Sequence, residues 1–173
     1  MSHYANHRRN LVAAVANAGH EAVILTHWAS VRYLSGFTGS FGVLWVPVVG
    51  NPTLITDFRY DEQAKIEVAR SLSIRIATGG WIPGLEDLVA SVNGSVAFES
   101  DYVTVSQHGD LNEAFPKLVL VSTTELVGRL RRIKNVKEIE KIECAIATAE
   151  AALQRTLTGI DWTDGPSERR VAA

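Results

Sequence analysis

Short apolar runs rich in β-branched residues alternate with helix-period segments as far as Val121, and this alternation constrains the fold more than any other feature of the chain. Ala22–Thr26, Val43–Val46, Thr53–Thr56, Ser73–Ala77, Ser95–Glu99 and Lys117–Val121 read as strands. Asn6–Ala18, Phe58–Arg70, Leu85–Val92 and Val105–Phe115 read as helices. In the first of these, Leu11, Val12, Val15 and Ala18 share a face, and Gly19 is placed to end it. The turn residues Val49-Gly50-Asn51-Pro52 join the second and third strands as a hairpin. Asp57 is positioned to cap the next helix, and Asn93-Gly94 and Pro116 end two others. Alternating elements with one internal hairpin predict an α/β fold: a three-layer domain with a mixed six-stranded sheet flanked by helices.

The pattern changes near residue 130. Arg129, Arg131, Arg132, Lys134 and Lys137 form a basic stretch, and a long helix begins at Asn135, which with Glu138 has capping-box spacing. Ile139, Ile142, Ile146, Ala149, Leu153 and Leu157 recur every three or four residues as one apolar stripe. Gly159 stands where this helix should stop, and Pro166-Ser167-Glu168 reads as another helix start. The expected organisation is a first domain over 1–130, then a linker and the first helices of a truncated second domain over 131–173.

Composition narrows the function classes. The 173 residues are 46% hydrophobic and 21% charged, enough for a core without disulfides or metals. A net charge of -2 leaves no electrostatic footprint for nucleic acid, and no apolar run reaches the ~20 residues of a membrane helix. No apolar signal core opens the chain. Cys144, the single cysteine, lies inside the long helix and fits a reducing compartment and a packing role.

Chemistry-bearing patterns are sparse. His3 and His7 are four residues apart at the terminus, and neither they nor His20, His27 and His108 complete a ligand set with cysteine or carboxylate; they read as surface histidines. No Gly-x-Ser-x-Gly elbow and no phosphate-binding glycine motif occurs. No catalytic residue and no metal site is expected in this chain. The segment His27–Gly42 is rich in aromatics, Gly and Ser, and within it Tyr33–Gly42 sets Phe37 and Phe41 among Gly36, Gly39 and Gly42 on a loop. Such a loop either folds back over its own core or presents its rings to a partner subunit or ligand.

Four segments carry a family resemblance. Arg32-Tyr33-Leu34-Ser35-Gly36-Phe37-Thr38-Gly39-Ser40 resembles a stretch common in Xaa-Pro aminopeptidases and prolidases. Leu54-Ile55-Thr56-Asp57-Phe58-Arg59-Tyr60, with Gln63-Ala64, is similar to that family's Asp-x-Arg-Tyr segment. Leu130-Arg131-Arg132-Ile133-Lys134, with Glu138-Ile139, Ile142 and Ala145, resembles its domain junction, and Ser167-Glu168-Arg169-Arg170-Val171-Ala172 its next helix start. Ser30 and Arg170 depart from it, standing where many relatives carry Asn and an acidic residue.

The resemblance implies a creatinase-type, ribonuclease H-like N-terminal domain of a Xaa-Pro aminopeptidase or dipeptidase. The pita-bread catalytic domain, with two divalent metal ions, manganese in many members, would lie beyond residue 173. It further implies a cytoplasmic homodimer acting on peptides with proline at the second position. The loop Ser35, Gly36, Phe37, Thr38, Gly39, Ser40 and Phe41, with His27 and Trp28, would narrow the active site across the dimer. On that reading Phe37 matters more for activity than for folding. Two other readings are a creatinase-like amidinohydrolase and a stand-alone binding domain.

Overall fold

A computed structural model describes residues 3–68, 70–160, 162, 163, 165 and 167–169. The chain divides into two compact units, Met1–Arg132 and Ile133–Ala173.

The first unit is built on strands β1 Ala22–Leu25, β2 Val43–Pro47, β3 Thr53–Thr56, β4 Ser73–Ile76, β5 Ser95–Glu99 and β6 Val119–Thr123. They form one sheet in the order β4-β3-β2-β1-β5-β6. β1 pairs antiparallel with β2, and β2 with β3; the other three pairings are parallel, so β2 alone runs against the rest. The hairpin, the mixed sheet and the helices on both faces agree with the sequence expectation.

Alternation along each strand separates two cores. Val23, Leu25, Leu44, Leu54 and Ala97 face one, with Leu11 and Val15 of α1 (His3–Asn17), Val31 and Leu34 of α2 (Trp28–Ser35), and Val127 of α6 (Leu126–Arg132). Ile24, Trp45, Ile55, Val96 and Phe98 face the other, with Val89 of α4 (Glu86–Val89) and Leu111 of α5 (Val105–Ala114). The edge strands β4 and β6 contain no fully buried residue, which is how exposed sheet edges avoid pairing with other chains.

Five expectations are corrected. No helix was expected between His27 and Gly42, and Tyr33–Gly42 was expected as a loop, but Trp28–Ser35 is a helix. It has no side-chain N-cap and several poor helix formers, so local propensity does not announce it. Tertiary contacts complete it instead: the buried Arg8 guanidinium donates to Leu34 O at 2.5 Å, and His7 Nδ1 donates to Tyr33 O at 3.1 Å. His7 is therefore buried and stacked on Tyr33 with ring centroids 3.9 Å apart, not the surface histidine expected. The helix after Asp57 is split into a 3-10 turn, Phe58–Tyr60, and α3, Asp61–Glu67. The helix expected over Leu85–Val92 shrinks to a 3-10 turn at Pro83–Leu85 plus α4. β6 starts two residues late, because Leu118 N returns to Phe115 O and spends Pro116-Lys117 on a turn.

The second unit contains α7, Val136–Gly159. Its capping box is formed as the spacing predicts: Glu138 N donates to Asn135 Oδ1, and Asn135 N donates to Glu138 Oε2. None of its described residues is buried, and Cys144 is exposed rather than packed. Pro166, Arg170, Val171 and Ala172 lie outside the described residues.

Candidate functional site

Five strands end at one edge of the sheet, and β2 begins there. In open α/β sheets this carboxyl edge, where strand order reverses, is where ligands bind. Here the chain leaves β1 to one side through β2, β3 and β4, and returns to β5 on the other side. His27, α2 and the Gly36–Gly42 loop all lie along that edge.

The loop begins where Gly36 ends α2. Its φ of 86° is left-handed, and its N–H returns to Arg32 O, a glycine-type helix stop. An added Cβ would also lie 2.9 Å from the Tyr4 ring. Ser35 Oγ donates to Val31 O and accepts from Phe37 N, so the turn out of the helix is hydrogen-bonded internally. Phe37 then drops into the first core with 1% of its surface exposed and meets Tyr60 edge-on at 5.7 Å. A Cβ on Gly39 would overlap the rings of Phe37 and Tyr60, so glycine is required there for close packing. Phe41 packs against the second core, and its carbonyl accepts from Thr56 Oγ1 at 2.6 Å.

The expectation of a presented Phe37 is therefore corrected. Both phenylalanines are drawn down onto the two cores, because a large apolar ring beside an open core gains more from burial than from solvent. Ser35 is fully buried, while Thr38 and Ser40 remain exposed. Trp28, at 64% exposure, is the large aromatic that the expected site leaves open to solvent. Two residues outside that expected set share the edge: Phe58, 78% exposed, and Arg59, which pairs with Asp57. Their only sequence signal is the Asp-x-Arg-Tyr pattern.

Beneath the edge lies a buried acid that sequence reasoning missed. Glu99 ends β5 with 3% of its surface exposed. Its Oε1 accepts from Ser30 Oγ at 2.6 Å, and its Oε2 has no hydrogen-bond partner. Burial pushes the carboxyl up to about 7, although the Ser30 hydroxyl and the His27 amide pull the other way; Asp101 raises it further and Arg131 opposes. His27 stacks flat on Tyr102 with centroids 3.6 Å apart. Burial, then the Arg131 charge, lowers its pKa and favours neutral imidazole. An isolated buried Glu at a strand end carries no sequence pattern.

Among the described residues, no three or more His, Cys, Asp or Glu side chains converge as a metal-ligand set. The ions implied by the resemblance have no fit among the described residues. No described helix is long and apolar enough to cross a membrane.

Architecture and site together define a class: a three-layer α/β domain whose carboxyl edge is a packed loop with exposed aromatic and polar residues. Residues 7–133 match the creatinase/prolidase N-terminal domain family, and the chain belongs to it. It is 35% identical over 141 residues to the uncharacterized peptidase YqhT of Bacillus subtilis (strain 168), a match covering 81% of this chain and 39% of that protein. The solved Xaa-Pro dipeptidase from Bacillus anthracis aligns at a TM-score of 0.86 and 31% identity, over 97% of this chain and 46% of the dipeptidase. The N-terminal domain of the cytoplasmic peptidase PepQ from Mycobacterium tuberculosis H37Rv aligns at 0.68 and 31%, over 72% of this chain and 98% of that domain. The chain thus spans less than half the length of YqhT and of the dipeptidase.

Proposed function

We propose that this chain is the accessory N-terminal domain of a cytoplasmic, metal-dependent Xaa-Pro aminopeptidase or dipeptidase. The reading is carried by the likeness to a Xaa-Pro dipeptidase across 97% of the chain. In this reading residues 131–173 are the linker and first helices of a pita-bread domain that holds two divalent ions, manganese among the candidates. The accessory domain supports a homodimer, and its carboxyl edge narrows the substrate pocket of the neighbouring subunit. The positions that do this are His27 and Trp28 at the start of α2, and Thr38 and Ser40 on the loop. Phe37 and Phe41 act from below, by holding the loop against the two cores. Exposed aromatic surface fits this role, because rigid rings exclude water and grip apolar or proline-containing segments at little entropic cost.

The test is turnover by the longer protein on Xaa-Pro peptides and on creatine, with and without manganese. Cleavage of Xaa-Pro peptides, stimulated by the metal, is the expected result. Creatine hydrolysis without peptide cleavage would establish the amidinohydrolase reading. No hydrolysis of either would leave a binding domain.

A further inference from the structure

One carboxylate from another element holds the exposed part of the carboxyl-edge loop. Thr38 N donates to Glu67 Oε2 at 2.7 Å, and Thr38 Oγ1 donates to Glu67 Oε1 at 2.7 Å. Gln63, one turn earlier on α3, closes the network: its Nε2 donates to Thr38 Oγ1 at 2.9 Å and to Glu67 Oε1 at 3.0 Å. Two residues along, Ser40 Oγ and the Tyr60 hydroxyl are hydrogen-bonded at 2.6 Å.

The chemistry of the network specifies a carboxylate. Thr38 and Gln63 present only donors toward position 67. An ionised Glu is acceptor-only and can take all of them. A Gln at 67 would turn an amide N–H₂ against one of them. Charge-assisted bonds of this kind are roughly twice as strong as neutral ones. Such strength is needed here, because a segment with three glycines in seven residues (36, 39 and 42) has more backbone freedom to lose than any ordinary loop.

We propose that Glu67 is the positioning residue of this loop, fixing the Thr38 backbone so that residues 38–40 present one geometry to whatever docks on the edge. The proposal rests on the reading of that edge as pocket-shaping. Partial burial raises the Glu67 pKa, but the Thr38 and Gln63 hydrogen bonds and the Arg32 charge on α2 more than offset it and hold the carboxyl below its usual range. The clamp is therefore ionised at neutral pH. Of the other charged groups on α3, Asp61 and Glu62 are engaged with Lys65.

Nuclear magnetic resonance on this 173-residue chain tests the clamp first. The Thr38 amide proton should shift with the titration of a carboxyl below the usual Glu range, and Glu67→Gln should abolish that titration. Glu67→Ala should speed exchange of the Thr38 amide by roughly tenfold or more while the β1 amides keep their protection. In the longer protein, Glu67→Ala should raise KM for a Xaa-Pro peptide roughly 3- to 10-fold with kcat within about twofold, and Glu67→Gln should fall between. A Thr38 amide that does not titrate, or titrates equally in Glu67→Gln, overturns the proposal. Unchanged KM and kcat in Glu67→Ala, with the amide titration lost, overturns it too. If wild type cleaves no Xaa-Pro peptide, the peptidase reading fails, and the amide titration still decides whether Glu67 holds the loop.

Discussion

Phe37 and Glu99 show what single residues conceal. A phenylalanine between glycines looks alike in sequence whether it faces outward or folds in. The deciding facts are the Tyr60 ring and the first core, most of which is far from it in sequence. Truncating a buried phenylalanine costs ~3–5 kcal/mol. Phe37→Ala should therefore lower Tm by roughly 10 °C or more, about as much as Phe98→Ala in β5, as thermal unfolding of both variants would show. A loss of only a degree or two at Phe37 would restore the presented loop. Glu99 makes a separate prediction. Its folded carboxyl titrates at about 7, above the ordinary 4.5, so the folded state holds the proton more tightly. Its contribution is fully present below pH ~4.5 and is lost as pH rises through about 7, a total of about 3 kcal/mol. Urea unfolding between pH 5 and 8 should show wild type losing stability relative to Glu99→Gln. Parallel curves would mean that Glu99 is not protonated in the fold.

At the scale of elements, strands were legible wherever apolar runs ended in turn residues, and caps wherever a side chain names its partner three residues on, as at Asn135 and Glu138. The helix α2 was not legible, because Arg8 and His7 complete its carboxyl end from α1, more than twenty residues away. The Thr104 and Gln107 capping box has the same spacing signal, and α5 starts at Val105 as expected. α7 carries a different expectation. Its stripe of Ile139, Ile142, Ile146, Leu153 and Leu157 is exposed. Helices draw most of their stability from packing such a face. In a monomer of this chain, hydrogen exchange along α7 should be roughly a hundredfold faster or more than along β1 and β5. Sheet-like protection of α7 in a monomer would show that its stripe is covered.

For the molecule as a whole, the alternation of elements made the α/β sheet readable, and four spaced segments made the family readable. The exposed edge was less readable, since exposure depends on which side chains the two cores draw in. That edge keeps Trp28 and Phe58 in solvent while both loop phenylalanines are packed. If the domain shapes a pocket and performs no chemistry of its own, an exposed edge residue should affect catalysis without affecting folding. The measurement is kcat/KM for a Xaa-Pro peptide and Tm in the longer protein carrying Trp28→Ala. We expect kcat/KM to fall roughly tenfold while Tm stays within a degree or two, because a solvent-facing ring contributes little to the core. Unchanged kcat/KM would contradict the pocket-shaping role, as would a fall that merely tracks lost stability.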